Sequence, residues 1–419
     1  MANMQSIPSV DRTILQADFD ALAAVTEPGR PWTRRSFTPL FLEGRTYLKT
    51  RFEEEGLSVR LDAAGNLIGR WEGAQLDAPV LMTGSHSDTV PSGGRFDGVA
   101  GVLSGLAAIR ALRLAGYRPQ HPIELVDFLA EEPSDWGLSC IGSRGMAGAL
   151  TDHHLALLGP NNESLREAID RIGGNVPQLS SARRDDIASY LEIHIEQGPV
   201  LEAKNIPIGV VTAIAGIGRV KVRFEGIAGH AGTSPMDMRA DAALAMARFA
   251  LAVRDAACAA QGKGHFTATI GVLTIEPGGA NVVPGASEAI VDIRAEDDGM
   301  MDRFIEALEG LASKAATDEK CHVALFERLS KTRAVACDPS LRLVLESAAS
   351  DLNLPTLSLA SGAGHDAAFM AQITKSAMIF VPSRDGKSHT PDEWTDNEAI
   401  ALSADVLVRT LVRLDSNTP

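Results

Sequence analysis

The sequence has 419 residues, more than one compact core accommodates, so two domains are expected. With 45% hydrophobic residues and a mean hydropathy of +0.02, the composition is that of a soluble globular protein. The formal charge of -15 argues against nucleic acid or an anionic membrane as partner, since both need a basic footprint.

Met1 to Asp20 has neither a basic n-region nor an apolar h-region, so no secretory signal is expected there. Apolar residues at helical spacing run from Ser9 to Ala24 and from Gly44 to Glu55. Leu57 to Asp62 and Leu67 to Trp71 read as strands around the turn Ala63-Ala64-Gly65-Asn66. Pro79 to Gly84 is a short apolar strand that runs directly into His86. Gly98 to Ala115 is a helix rich in small residues, and Ile123 to Leu129 is a buried strand that delivers Glu131 and Glu132. Ala188 to Ile195 is a further strand ending in Gln197-Gly198-Pro199. Alternating strands and helices with polar groups at strand ends predict an open α/β sheet whose site lies at those ends.

The pattern then changes. Strands at Arg219 to Glu225, Phe266 to Ile275, Glu288 to Arg294 and His322 to Glu327 alternate with helices at Arg239 to Ala260 and Met300 to Ala316. That order is β-α-β-β-α-β, the split βαβ unit. A helix at Pro339 to Leu352, a strand at Ala377 to Val381 and a helix at Asp396 to Leu414 follow. The expected organisation is an open mixed-sheet catalytic domain, 1–214 with 334–419, into which a ferredoxin-like domain, 215–333, is inserted. Cys140, Cys258, Cys321 and Cys337 are far apart and show no C-x-x-C spacing. Reduced thiols in a cytoplasm fit that better than a zinc site or a disulfide framework. No stretch is apolar and long enough to span a bilayer.

The strand ends carry the chemistry. His86, Asp97 and Glu132 are candidate metal ligands. Asp88 sits two residues beyond His86, where it can hold that imidazole in one tautomer. Glu131 precedes a ligand and is free to act as a base. Hydrolysis of an amide or ureido bond at neutral pH needs a stronger nucleophile than water, which two divalent metals about 3.5–4 Å apart can supply. Asp97, flanked by Gly93-Gly94 and Gly98, suits a bridge; His86 and His194 complete one site, Glu132 and His389 the other. Nitrogen and oxygen donors without thiolate fit zinc, manganese, cobalt or nickel. The plainer alternatives are isolated loop histidines and a solvated Glu131-Glu132 pair. Against the latter, adjacent carboxylates after a buried strand repel unless a cation or proton separates them.

Several motifs carry a resemblance: Gly84-Ser85-His86-Ser87-Asp88-Thr89-Val90, Gly93-Gly94-Arg95-Phe96-Asp97-Gly98, Glu131-Glu132, and His194-Ile195-Glu196-Gln197-Gly198-Pro199. So do Gly229-His230-Ala231-Gly232-Thr233, Gly362-Ala363-Gly364-His365-Asp366-Ala367, and Ser388-His389. From about Gly65 to about Ser403 the chain resembles the di-metal aminoacylase and carboxypeptidase clan. Within it, the similarity is to the N-carbamoyl-L-amino-acid hydrolase, β-ureidopropionase and allantoate amidohydrolase branch.

The resemblance implies two divalent metals held by His86, Asp97, Glu132, His194 and His389, with Glu131 as general base and Asp88 beside it in the catalytic set. A histidine at position 194, where the exopeptidases carry a carboxylate, argues against a peptidase. Gln197, His230, Asn281, Arg294, Gly362 and His365 match substrate-contact positions. Arg294 would take a substrate carboxylate in a two-pronged pair, whereas its plain alternative is a surface pair with an acid such as Glu296. His230 and Asn281 would bind the developing oxyanion, with His230 reaching a neighbouring subunit's site, so a homodimer is implied. The implied reaction removes a carbamoyl group from an N-substituted amino acid; the alternatives are allantoate or N-acyl amino-acid hydrolysis and, remotely, a non-catalytic binding protein. The segment Pro133-Ser134-Asp135-Trp136 departs from the Gly-Ser-Arg-Phe common in the branch, which bears on the substrate.

Overall fold

The computed structural model describes residues 7–75, 77–260 and 264–416. The chain divides into two compact units: Met1–Thr212 with Cys337–Leu359 and His365–Pro419, and Ala213–Ala336 with Ala360–Gly364. Ala360–Gly364 groups with the second unit because Ala215 N–H donates to the Ser361 carbonyl at 2.8 Å and Arg294 Nη1 to the Gly362 carbonyl at 2.8 Å.

In the first unit four strands have almost no polar face. Val80–His86 and Ile123–Phe128 are buried throughout, Ile187–Ile195 and Lys375–Val381 nearly so. Strands buried on both sides belong in the middle of a parallel sheet covered by helices. These four run parallel, in the order Ile123–Phe128, Val80–His86, Ile187–Ile195, Lys375–Val381. Register pairs His86 with Phe128, and His194 with Phe380, so the C-terminal ends of the strands fall level. Antiparallel strands flank them: Leu67–Trp71 beside Ile123–Phe128, and Ile208–Ile214 beside Lys375–Val381. The sheet is therefore mixed, as expected.

Helix Val99–Leu114 links Val80–His86 to Ile123–Phe128 and is buried from Val99 through Leu112. It packs on helices Arg12–Ala24 and Asn397–Ser416. Helix Pro39–Glu54 begins five residues before the periodicity suggests. Thr38 caps it by accepting the Phe41 amide at 3.3 Å, and Pro39 occupies the first turn, where no N–H is needed.

The second unit has four antiparallel strands in the order His322–Lys331, Gly216–Glu225, Ala286–Ala295, Phe266–Glu276. The two inner strands alternate between buried and less buried residues. Their buried face, including Val220, Val222, Phe224 and Val291, shares one core with Phe249 of helix Ala242–Ala260 and with Met301 and Phe304 of helix Asp298–Asp318. A sheet with one face covered by two helices produces this alternation. Among the described residues, no helix is long and apolar enough to cross a membrane.

One buried ion pair ties the outer helix to the strand that delivers the two glutamates. Arg45 Nε lies 2.9 Å from Asp127 Oδ2, and its Nη2 donates to the Asp127 carbonyl at 2.9 Å. The Arg45 side chain is 6% exposed and that of Asp127 is 0%. Removing the guanidinium would strand a buried carboxylate, a defect that costs about 3–5 kcal/mol. Arg45→Leu should therefore lose about that much stability in urea unfolding. A loss below about 1 kcal/mol would show that Asp127 finds another partner.

Candidate metal centre

The four parallel strands end on the chemistry. His86 is the last residue of Val80–His86, and His194 is next to last in Ile187–Ile195. Glu131 and Glu132 follow Ile123–Phe128 by a short turn, and His389 follows Lys375–Val381. Asp97 lies just before helix Val99–Leu114, separated from it by Gly98. Gly98 has φ of +65°, and a Cβ there would stand 2.3 Å from the His86 ring, so glycine is required for both reasons. Ala130, Gln197 and His389 also adopt left-handed backbone conformations, unusual for residues with side chains and recurrent where geometry serves a site.

The Asp97 carboxylate is the hub. Its Oδ1 lies 3.5 Å from His86 Nε2 and 3.3 Å from His194 Nε2. Its Oδ2 lies 3.3 Å from His389 Nε2, which is 3.2 Å from Glu132 Oε1. His86, Asp97 and His194 thus form one group that could hold a cation, and Asp97, Glu132 and His389 a second. Donors about 2.0–2.1 Å from a tetrahedral ion stand about 3.4 Å apart. The observed separations of 3.2 to 3.5 Å fit that spacing.

The imidazoles are set for ligation. His86 Nδ1 is 3.1 Å from the Asp88 carbonyl, and His194 Nδ1 is 2.9 Å from the Ile195 carbonyl. A carbonyl only accepts, so each Nδ1 carries hydrogen and each Nε2 faces the cluster, that of His194 also accepting the Gly98 amide at 3.3 Å. His86 Nε2 is buried and has no hydrogen-bond partner. Such an orphaned acceptor is what a cation would satisfy. Asp88 faces His86 Nδ1 with both its main-chain carbonyl and its carboxylate. Its carboxylate Oδ1 stands farther from Nδ1, at 3.4 Å, and accepts the Glu131 amide at 3.2 Å.

Electrostatics point the same way. Burial raises the Asp97 carboxyl, but His194, His389 and His86 outweigh it and hold it well below the usual carboxylate range. Asp97 and Glu132 together lift the His389 imidazole to about 11. Burial, and then the neighbouring carboxylates, raise Glu131 well above its ordinary value, against the pull of His86. The cluster thus gathers carboxylates that are stable together only with positive charge among them. Glu131 stands apart from the two ligand groups. Its Oε2 is 3.6 Å from His86 Nε2, and its Oε1 is 3.5 Å from the Cys140 thiol.

The remaining candidates divide between the units. Gln197 lies in the cluster, with Nε2 donating to Asp97 Oδ2 at 2.6 Å and to Ser388 Oγ at 3.2 Å. His365 is buried, and its ring packs edge-on to that of His194 with centroids 4.5 Å apart. His230, Asn281, Arg294 and Gly362 belong to the second unit. There His230 pairs in register with Val282, and the Ala231 amide donates to the Asn281 carbonyl at 2.9 Å, so these two positions adjoin. Arg294 binds Asp292 at 3.0 Å, not Glu296, as well as the Gly362 carbonyl. In the departing loop, Trp136 is core: its ring lies 4.8 Å from Phe37 and its indole N–H donates to the Glu163 carbonyl at 2.8 Å. Asp135 pairs with Arg35. Sequence reasoning missed Glu393, which is buried against the Asp97 loop; its one local signal is its place four residues after His389.

Comparison with known proteins agrees with this geometry. The model of the peptidase family M20/M25/M40 matches residues 82–413. The chain is 37% identical to a ureidoglycolate hydrolase of Oryza sativa subsp. japonica, over 97% of this chain and 85% of the relative. It is 38% identical to an N-carbamoyl-L-amino acid amidohydrolase of Geobacillus stearothermophilus, over 93% of this chain and 94% of the relative. A crystal structure of an amidase of the hydantoinase/carbamoylase family from Burkholderia multivorans superposes with a TM-score of 0.92 at 34% identity, covering 98% of this chain and 99% of that one. With a family match spanning the parallel strands and relatives aligned along nearly their whole length, this chain belongs to the peptidase family M20/M25/M40 and is one of its amidohydrolases.

Proposed function

We propose that this enzyme hydrolyses the carbamoyl C–N bond of an N-carbamoyl-L-amino acid or a related ureido acid, releasing the amino acid, ammonia and carbon dioxide. The observation that carries the reading is the division of labour around Asp97. One carboxylate faces the imidazoles of His86 and His194 with one oxygen and that of His389 with the other, and a separate buried glutamate stands beside them. When bound, two divalent cations (zinc, manganese, cobalt or nickel) supply Lewis-acid polarisation of the scissile carbonyl and a more acidic water. His86 and His194 would hold one, Glu132 and His389 the other, and Asp97 would serve both. Glu131 takes a proton from the attacking water on its raised carboxylate and returns it to the leaving amine. Asp88 fixes the peptide of that base through the Glu131 amide.

Gln197, His230, Asn281, Arg294, Gly362 and His365 are proposed as the groups that orient the substrate. Arg294 is matched to its carboxylate, and His230 and Asn281 to the developing oxyanion. A homodimer accords with the edge strand Phe266–Glu276, where Val272, Leu273 and Ile275 are 48%, 47% and 41% exposed. A solution mass equal to one 44.3 kDa chain would remove the dimer. The four unpaired cysteines suit a reducing cytoplasm. A second reading, cleavage of a ureido group from a short 2-hydroxy acid, is favoured by the ureidoglycolate hydrolase at 37% identity.

Three measurements test this. First, protein stripped by chelator should be inactive, bind two equivalents of divalent metal and recover activity. Uptake must displace the proton that the cation-free cluster keeps on His389, raised to about 11, so binding should release protons and weaken as pH falls from about 8 to about 6. Full activity after thorough demetallation would rule out the centre. Second, Glu131→Gln keeps shape but cannot transfer a proton. Turnover should fall by about 10²–10⁴-fold with metal content retained, and near-normal turnover would displace Glu131 as base. Third, ammonia release should be compared across N-carbamoyl-L-amino acids, ureidoglycolate and allantoate, and amine release across N-formyl and N-acetyl amino acids. Ureido substrates should lead, and an N-acetyl amino acid turned over fastest would overturn the substrate class.

A further inference from the structure

We infer that Glu393 is a positioning residue of the centre, fixing the loop that carries Asp97 to the loop that carries His389 so that one carboxylate can serve both ligand groups. The inference rests on the reading of the cluster as a metal centre.

Glu393 is 2% exposed, yet among the described residues it forms no ion pair with a lysine or arginine. A buried carboxylate needs compensation. Here it comes from the ligand loops. Glu393 Oε1 accepts the amide of Phe96 at 2.8 Å and the amide of Asp97 itself at 3.1 Å. Its Oε2 lies 2.9 Å from Ser388 Oγ, next in sequence to His389. The backbone that bears the hub carboxylate therefore hangs from Glu393.

Two further observations tie the same loops. A Cβ on Gly94 would stand 1.8 Å from Glu393 Cδ, so this glycine exists to admit the carboxyl group. Beside it, the Phe96 ring meets Trp394 edge-on at 5.4 Å. Residues 94, 96 and 97 thus engage residues 388, 393 and 394 in a continuous seam. Ser388 adds a direct link. Its hydroxyl is 2.9 Å from Asp97 Oδ2 as well as from Glu393 Oε2, and its single hydrogen can serve only one of them.

The test is a cobalt titration of demetallated wild type, Glu393→Ala, Glu393→Gln and Gly94→Ala. Affinity and stoichiometry are read by calorimetry and by the cobalt visible absorption, and the thermal midpoint of each metal-free protein is measured in parallel. Loss of a group that orients ligands typically weakens metal binding about 10–100-fold. Glu393→Ala should show that loss while its metal-free midpoint stays near wild type. Glu393→Gln should stay close to wild type, because its amide oxygen still accepts both amides and its nitrogen can donate to Ser388. Gly94→Ala should mimic Glu393→Ala by displacing the carboxyl group. Wild-type cobalt affinity in Glu393→Ala overturns the inference. If that variant does not fold, wild-type affinity in Gly94→Ala does so instead. Wild-type protein that binds no cobalt overturns the metal-centre reading itself, a separate outcome.

Discussion

The structure of the centre depends on one carboxylate whose two oxygens face different imidazoles. Asp97 turns Oδ1 to His86 and His194, and Oδ2 to His389. A single rotation of that group would spoil both sets at once, so its orientation must be over-determined. Its amide is bound by Glu393, its Oδ2 receives Gln197 and Ser388, and the glycine after it leaves room for the His86 ring. These constraints come from segments nearly three hundred residues apart in sequence, since Asp97 and Glu393 are separated by 296 positions. Only the parallel sheet makes them neighbours.

The sheet does this because its inner strands are buried on both faces and stop together. Polar residues inside such strands are paired where they stand, as Asp127 is by Arg45, so groups left to face a cation or a substrate collect at the ends. His86 and His194 are within one residue of their strand termini, and the glutamates and His389 follow theirs in turns. Concentrating carboxylates there is unfavourable by itself, and the raised Glu131 and His389 record the strain from opposite signs of charge. Bound cations would relieve it for the ligands, whereas Glu131 stands 3.6 Å from His86 Nε2 with its carboxyl raised.

What the sequence disclosed follows from how local each signal is. Strand Leu67–Trp71 is legible to the residue, since a turn closes it on one side and Glu72-Gly73 on the other. The residues at strand ends that could hold a cation are legible because chemistry is written in residue identity. Strand Ile208–Ile214 is not, since its near-continuous apolar run carries no period. Strand Thr356–Ser361 is half-buried along most of its length, without clean alternation, and gives no signal either. At Asp88 the main-chain carbonyl stands nearer His86 Nδ1, at 3.1 Å, than the carboxylate, at 3.4 Å, and side-chain reasoning cannot see carbonyls. Glu393 is invisible for a similar reason. Its partners are mainly backbone amides, which every residue possesses, so nothing in its own neighbourhood announces them.

The adjacent pair Glu131-Glu132 shows how backbone placement assigns chemistry to identical side chains. The Glu131 peptide is held on both sides: its amide donates to Asp88 Oδ1, and its carbonyl accepts the Cys140 amide at 2.9 Å. The residue before it, Ala130, has φ of +51° and binds the Ile141 amide through its carbonyl. With that peptide fixed, Glu132 reaches His389 and joins a ligand group, while Glu131 meets His86 on one oxygen and the Cys140 thiol on the other. A thiol is a weak donor, so it orients the carboxylate without greatly favouring the charged form. Glu131 is thus held in place without being greatly stabilised in its charged form.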